Sequence, residues 1–148
     1  MKTWRAPVVC AVLAAVALFV SLSAVGENED SQPRQSVMVL MTTVITPATN
    51  TMWSIEAPAT EAEWQTFAEA ADAVIRAGRA VRHGGSGPHD DDWASNADWQ
   101  AWADTMIAAA EAARTAAESK DVNAYIEATD VMYPPCEECH IAYNPGLQ

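Results

Sequence analysis

The residues best suited to chemistry lie near the carboxyl end, in the run Cys136-Glu137-Glu138-Cys139-His140. Two thiols separated by two residues and followed directly by a histidine have the spacing at which proteins attach haem covalently. On a helix, residues three and four apart share one face, so both sulfurs can reach the vinyl groups of one porphyrin while the imidazole reaches its iron. The run therefore predicts one covalent haem c on Cys136 and Cys139, with His140 as the proximal ligand of the iron.

Two other kinds of site use the same residue types. A cysteine pair at this spacing also occurs in dithiol oxidoreductases, but there it starts a helix that follows a strand, and no strand pattern precedes it here. A tetrahedral zinc site needs four ligands, and the three residues of the motif could be completed only by the distant His83 or His89. Both stay open as weaker alternatives.

The amino terminus has the layout of a secretory signal peptide. Lys2 and Arg5 precede an apolar run over about residues 7–20, and small residues follow up to Gly26, where we expect cleavage. The apolar run is short for a membrane span, although an uncleaved anchor is the alternative. Cys10 would leave with the leader.

The sequence thus predicts a signal peptide at 1–26, one domain at 27–148 and export to the periplasm. Removing the leader changes the basic residues from 8 to 6 against 20 acidic ones, and the net charge from −12 to −14. Such a surface repels nucleic acid and anionic membranes and favours redox partner proteins with basic surfaces. No acid, base and nucleophile combination indicates an enzyme.

Four segments have helical periodicity, and no alternating strand pattern competes with them. Pro47 predicts a kink in the first, Thr60 and Glu63 form a capping box at the start of the second, and Gly84 ends it. The run GGSGPHDDD that follows reads as a solvated loop, with His83 and His89 in solvent. The segments cover residues 35–55, residues 60–83, the stretch from about residue 95 to 118, and residues 122–143.

The connections between these segments are short, which favours antiparallel neighbours. The fold class predicted is therefore all-α, an antiparallel up-down-up-down four-helix bundle. Its inward positions in the second segment are Trp64, Phe67, Ala71, Val74, Ile75, Gly78 and Val81. In the last segment they are Val122, Tyr125, Ile126, Thr129, Met132, Cys136, Cys139, His140 and Tyr143.

Four helices with CEECH close to the carboxyl terminus, followed by the aromatic Tyr143, resemble the cytochrome c' family. The resemblance implies that Cys136 and Cys139 bind haem, that His140 is the proximal ligand, and that the chain could form a homodimer through its first two helices. The family usually carries a basic residue where this chain has Asn144. Pro134 and Pro135 predict a break or restart of the last helix just before the motif.

The opposite face of the iron decides between two functions. A sixth protein ligand favours electron transfer, whereas an open face permits binding of nitric oxide or carbon monoxide. In an antiparallel bundle the residue facing His140 comes from the first half of the first helix, which favours Met41 as the distal ligand, then Met38, and disfavours Met52. Core packing alone is the alternative for Met41. The tryptophans Trp53, Trp64, Trp99 and Trp102 are expected to fill the core or wall the haem.

Overall fold

The protein is a helical bundle in the part that the computed structural model describes, residues 33–54 and 58–144. These ranges contain no strand, so the predicted all-α class is confirmed there. None of their helices is both long and apolar enough to cross a bilayer. The predicted signal peptide and Cys10 lie outside the described residues. Helix α1 consists of Val37–Leu40, Met41–Ile45 and Thr46–Met52; α2 is Glu61–Arg82, α3 is Asp90–Ala94, α4 is Ala97–Ser119 and α5 is Val122–Tyr143.

Helix α1 is interrupted by a π-helical turn. Met41–Ile45 forms this turn, in which the amide of Thr46 donates to the carbonyl of Met41, five residues back. Pro47, which has no amide hydrogen to donate, stands at the start of the α-helical piece that follows. The irregularity expected at Pro47 thus lies one turn earlier, as a local widening of the helix.

Helix α2 begins and ends as its sequence predicts. The amide of Glu63 donates to the hydroxyl of Thr60 over 3.3 Å, and the carboxylate of Glu63 accepts from the amide of Thr60 over 2.9 Å. After the last turn, Gly84 takes a left-handed conformation with φ of +84°. A side chain there would be strained and would also collide with Asp91. The predicted inward positions of α2 are all buried, which confirms that face.

The sequence predicted that the run after Gly84 is a solvated loop, but part of it is helical and buried. Asp90–Ala94 forms the short helix α3, and Asp90 is 3% exposed. Its Oδ2 accepts from the amides of Val37 and Gly87, each over 2.8 Å. Burial of this carboxylate is possible because it satisfies two backbone donors, one of them in the first turn of α1. Through this hydrogen bond, Asp90 stabilises the start of α1.

Helix α5 runs without a break through Pro134 and Pro135, so the predicted interruption is wrong. The carbonyls that lose their helical donors belong to Asp130 and Val131, whose side chains are exposed, so water can satisfy these groups. One buried face continues past the prolines and offsets the cost of the missing bonds. It comprises Tyr125, Ala128, Thr129, Met132 and Pro135, with the half-buried Cys136, Cys139 and Tyr143 beyond.

Three of the inward positions predicted for α5 are wrong. Val122 and Ile126 are exposed, and so is His140. The reason is that α5 packs extensively on α4 but only sparsely on α1, whose own main contact is with α2. The edge of α5 that turns toward α1 is therefore left largely uncovered.

Candidate haem site

Both cysteines of the motif are free thiols that lie half-buried on α5. Burial raises the pKa of Cys136 and of Cys139 from 9.0 to about 11, and the neighbouring Cys136 adds to the rise at Cys139. The two side chains face the same cleft, as residues three apart on a helix should. They are therefore protonated at neutral pH and presented together.

The thiols line a cleft between α1, α4 and α5, which we call the thiol cleft. It contains about 590 Å³ of empty space, part of it open to solvent. Apart from the motif, its walls are mostly apolar and aromatic, as a cofactor site requires. They consist of Met41, Ile45, Thr46, Thr49, Trp53, Val81, Trp99, Trp102, Ala103, Met106, Pro135, Cys136, Cys139 and His140.

A second cleft, which we call the outer cleft, adjoins the first and opens toward the end of α5. It contains about 1020 Å³ of empty space, again partly solvent. Both clefts share Met41, Thr46, Trp99, Cys139 and His140. The wall of the outer cleft also includes Met38, Trp93 and Tyr143. The two clefts therefore lie side by side next to the motif, with part of their walls in common.

The structure brings Met41 to the same space as the thiols and His140. Met41 lies in the π-helical turn of α1, is half-buried and lines both clefts. Met38 borders only the outer cleft and is 58% exposed. Met52 is 2% exposed and lines neither cleft. Their proximity to the thiols thus follows the order in which the sequence favoured them as the distal ligand, Met41, then Met38, then Met52.

His140 is exposed at the border between the two clefts. The hydrogen bonds of the described residues include none from its ring, although its backbone carbonyl accepts from the amide of Asn144. Both ring nitrogens are thus available. His83 and His89 are exposed, as predicted, and neither lines the clefts.

Aromatic rings wall the outer end of this space. The ring of Tyr143 lies with its centroid 5.1 Å from that of Trp99, 5.8 Å from that of Trp93 and 6.1 Å from that of Trp102. The buried indole of Trp99 also donates to the carbonyl of Val81 over 3.0 Å, which fixes its orientation. These contacts hold the last turn of α5 against the start of α4.

Trp64 belongs to a different region, because its ring packs on Phe67 and Tyr125 at the opposite end of the bundle. Trp93 is the wall residue that the sequence analysis missed. It lies in α3, which was taken for loop. Three aspartates in succession at 90–92 were the available signal, because acidic side chains favour the first turn of a helix.

Within the described ranges, no three side chains of His, Cys, Asp and Glu are grouped so that they could hold a metal ion by themselves. The donor set fits a porphyrin better: two free thiols one turn apart, an imidazole with free nitrogens and a thioether on a neighbouring helix, around apolar walls. The residues present therefore fit a covalently bound haem. No family model, curated protein or solved structure matches the chain.

Proposed function

We propose that this chain is an exported c-type cytochrome, similar to the cytochrome c' family, that carries one haem and transfers single electrons in the periplasm. The observation that carries the proposal is that Cys136, Cys139 and His140 border one largely apolar cleft together with Met41. The sulfur of a methionine and a nitrogen of a histidine are the two ligands that haem iron has in electron-transfer cytochromes.

An antiparallel up-down-up-down order of the four long helices is part of this proposal. Four ion pairs join α2 to α4, and the partner's number falls as the number in α2 rises: Glu61–Lys120, Asp72–Arg114, Arg79–Glu111 and Arg82–Asp104. The end of α5 lies by the start of α4, through Tyr143 and Trp99. The end of α1 lies by the first half of α5, since the Trp53 indole donates to the carbonyl of Thr129 over 3.2 Å.

The dithiol alternative has less support. A redox-active cysteine pair depends on a thiol whose pKa is lowered, so that the nucleophilic thiolate is present at neutral pH. Here burial raises both thiol pKa values to about 11. Covalent attachment to haem would remove the thiols altogether.

Haem bound in this cleft would supply an iron centre that takes up and releases one electron. Cys136 and Cys139 would hold it covalently, and His140 would bind its iron. The walls formed by Trp99, Trp102 and their neighbours exclude water, which sets the polarity around the centre. Met41, which lines the same cleft on the neighbouring helix, would be the second iron ligand.

The test is expression of the full chain in a host that matures c-type cytochromes, followed by visible spectroscopy of the purified protein under denaturing conditions. Covalent haem is expected in the native chain and absent when Cys136→Ala and Cys139→Ala are combined. A colourless native protein would refute the proposal.

The distal ligand is tested by Met41→Ala, with Met38→Ala as the matched control on the same helix. The electron-carrier proposal expects a low-spin ferric spectrum that is lost in the first variant and kept in the second. High-spin iron in the native protein, with rapid uptake of carbon monoxide, would instead indicate a gas-binding protein.

A further inference from the structure

One side of α5 exposes apolar and acidic residues in an unusual succession. Val122, Ile126, Asp130, Tyr133 and Glu137 follow at steps of four, four, three and four, so they share one helical face. We call this face the α5 stripe. Ile126 is 51% exposed and Tyr133 is 55% exposed. A surface helix that keeps aromatic and β-branched side chains in water at this spacing indicates a contact surface.

No ion pair among the described residues compensates the charge of the α5 stripe. Helix α5 contains no lysine or arginine, and its acidic residues are Glu127, Asp130, Glu137 and Glu138. None of them takes part in the ion pairs found among the described residues. By contrast, Asp104 and Glu111 on α4 are paired with arginines of α2. The stripe therefore offers free negative charge beside apolar side chains.

The α5 stripe is also in contact with the candidate haem site. The rings of Trp53 and Tyr133 meet edge to face with centroids 6.0 Å apart. Trp53 lines the thiol cleft together with Cys136 and Pro135. A continuous set of packed side chains thus leads from the cleft to the stripe, so a partner seated on the stripe would be one ring pair away from the wall of the thiol cleft.

We propose that the α5 stripe is the docking surface for a small electron-transfer protein whose contact area is apolar and rimmed by lysine or arginine. This inference rests on the proposed haem function. An apolar centre supplies affinity through desolvation, while complementary charge around it raises the association rate. The reaction moves one electron between the haem and a one-electron centre of the partner, so that one is oxidised as the other is reduced, and no proton is required.

Charge selects this partner over the other candidates. An anionic lipid surface would repel Asp130 and Glu137. A second copy docked by the same stripe would bring the same acidic residues together, and α5 supplies no basic residue to balance them. A basic redox protein meets neither penalty.

The experiment measures binding of the haem-loaded protein to mitochondrial cytochrome c, a lysine-rich one-electron protein, by titration calorimetry at low ionic strength. The double variant Asp130→Lys/Glu137→Lys is compared with Glu69→Lys/Glu118→Lys, which makes the same change in net charge on α2 and α4. We expect the dissociation constant to rise about tenfold in the first and less than about twofold in the second.

The apolar part of the α5 stripe is tested by Ile126→Ser, with Val131→Ser as control. Val131 is 51% exposed, like Ile126, but it lies on the other side of the same helix. The expected loss of affinity is about fivefold for the first variant and none for the second. Because both side chains are exposed, neither change should unfold the protein.

A second readout is the rate at which the reduced protein passes one electron to hexaammineruthenium(III), a small trication. The charge reversals in the α5 stripe should slow this reaction, and those on α2 and α4 should leave it nearly unchanged. Equal effects of both double variants on binding would overturn the docking proposal. So would a native dimer that Ile126→Ser dissociates. If the docking proposal fails in one of these two ways, a normal haem spectrum still supports the proposed haem function. A colourless chain would overturn the haem function and the docking surface together.

Discussion

The buried carboxylate of Asp90 gives a sharp test of how the first helix is held. Its Oδ2 is the acceptor for the amides of Val37 and Gly87, each at 2.8 Å. Asp90→Ala removes both bonds and leaves the buried Val37 amide without a partner, at a cost of about 2 kcal/mol. Gly87 is partly exposed, so water limits its loss to about 1 kcal/mol. The expected total is about 3 kcal/mol of the free energy of unfolding.

Asp90→Asn is the matched control. The asparagine can place its carbonyl oxygen where Oδ2 lies, so both amides keep an acceptor and only the charge is lost. Hydrogen bonds to charged groups are stronger than neutral ones, so we expect a smaller loss of about 1 kcal/mol. The order of stability should be native, then Asn, then Ala.

Urea unfolding followed by circular dichroism measures these differences, with an unchanged m-value as the check that only stability has changed. Because Asp90 fixes the start of α1 just before Met41, Asp90→Ala should also alter the visible spectrum of the haem-loaded protein. A loss below about 1 kcal/mol in Asp90→Ala, or an Asn variant as unstable as the Ala variant, would show that these two hydrogen bonds do not hold the start of α1.

Two further predictions concern packing and the thiols. A Cβ added at Gly78 would lie 3.0 Å from Cγ1 of Ile107, so Gly78→Leu should overpack the contact between α2 and α4 and lower the unfolding free energy by about 2 kcal/mol. Gly78→Ala should change the unfolding free energy by less than about 1 kcal/mol, because the higher helix propensity of alanine offsets the tight contact. Equal losses of stability for the two variants in urea unfolding would contradict the overpacking of α2 against α4. In the haem-free chain, Cys136 and Cys139 should react with iodoacetamide at pH 8 about ten times more slowly when the chain is folded than in guanidinium chloride. The raised pKa values make the thiolate fraction about a hundredfold smaller in the folded chain, but each thiolate with a higher pKa is a stronger nucleophile, which offsets part of the difference. Raised thiol pKa values also mean that the folded chain binds protons more tightly than the unfolded one, so its stability should fall as pH rises from about 9 toward about 11. Equal alkylation rates with and without denaturant would count against thiol burial.

Local patterns predicted the helices well wherever the chain carried its own start and stop signals. Thr60, Glu63 and Gly84 bound α2 as expected, since capping depends on residues only a few positions apart. The buried face of α2 followed from its periodicity for the same reason. These effects are short-range, since each depends only on residues that are close together in the sequence.

Predictions failed where distant residues decide the outcome. Asp90 is buried because it meets the amide of Val37, 53 positions earlier, and nothing near it in the sequence reveals that bond. Ile126 was predicted to face inward from its helical spacing, but α1 packs only sparsely on α5 and leaves Ile126 51% exposed. Pro135 was expected to end a helix, yet packing of its buried face sustains α5 past it.

The candidate site was predictable in part. The spacing in CEECH indicated Cys136, Cys139 and His140, and Met41 was expected because antiparallel helices bring opposite ends together. The walls were harder to foresee, because Thr46 and Thr49 carry no chemical signature and Trp93 lies in an element that was not expected. These residues reach the clefts only through the way α1 and α3 pack.

The π-helical turn at Met41–Ile45 holds one residue more than an α-helical turn would. Because the wider turn takes up that extra residue locally, deleting one residue at 42–45 would let the helix close to regular geometry while the segments on its two sides keep nearly the same azimuth. In a regular α-helix such as α4, a one-residue deletion would instead rotate the segment ahead of it by about 100° and turn its buried face away from the core. The sulfur of Met41 should therefore keep facing the thiols after a one-codon deletion at 42–45, so this short stretch is the part of the bundle that best tolerates a change in chain length.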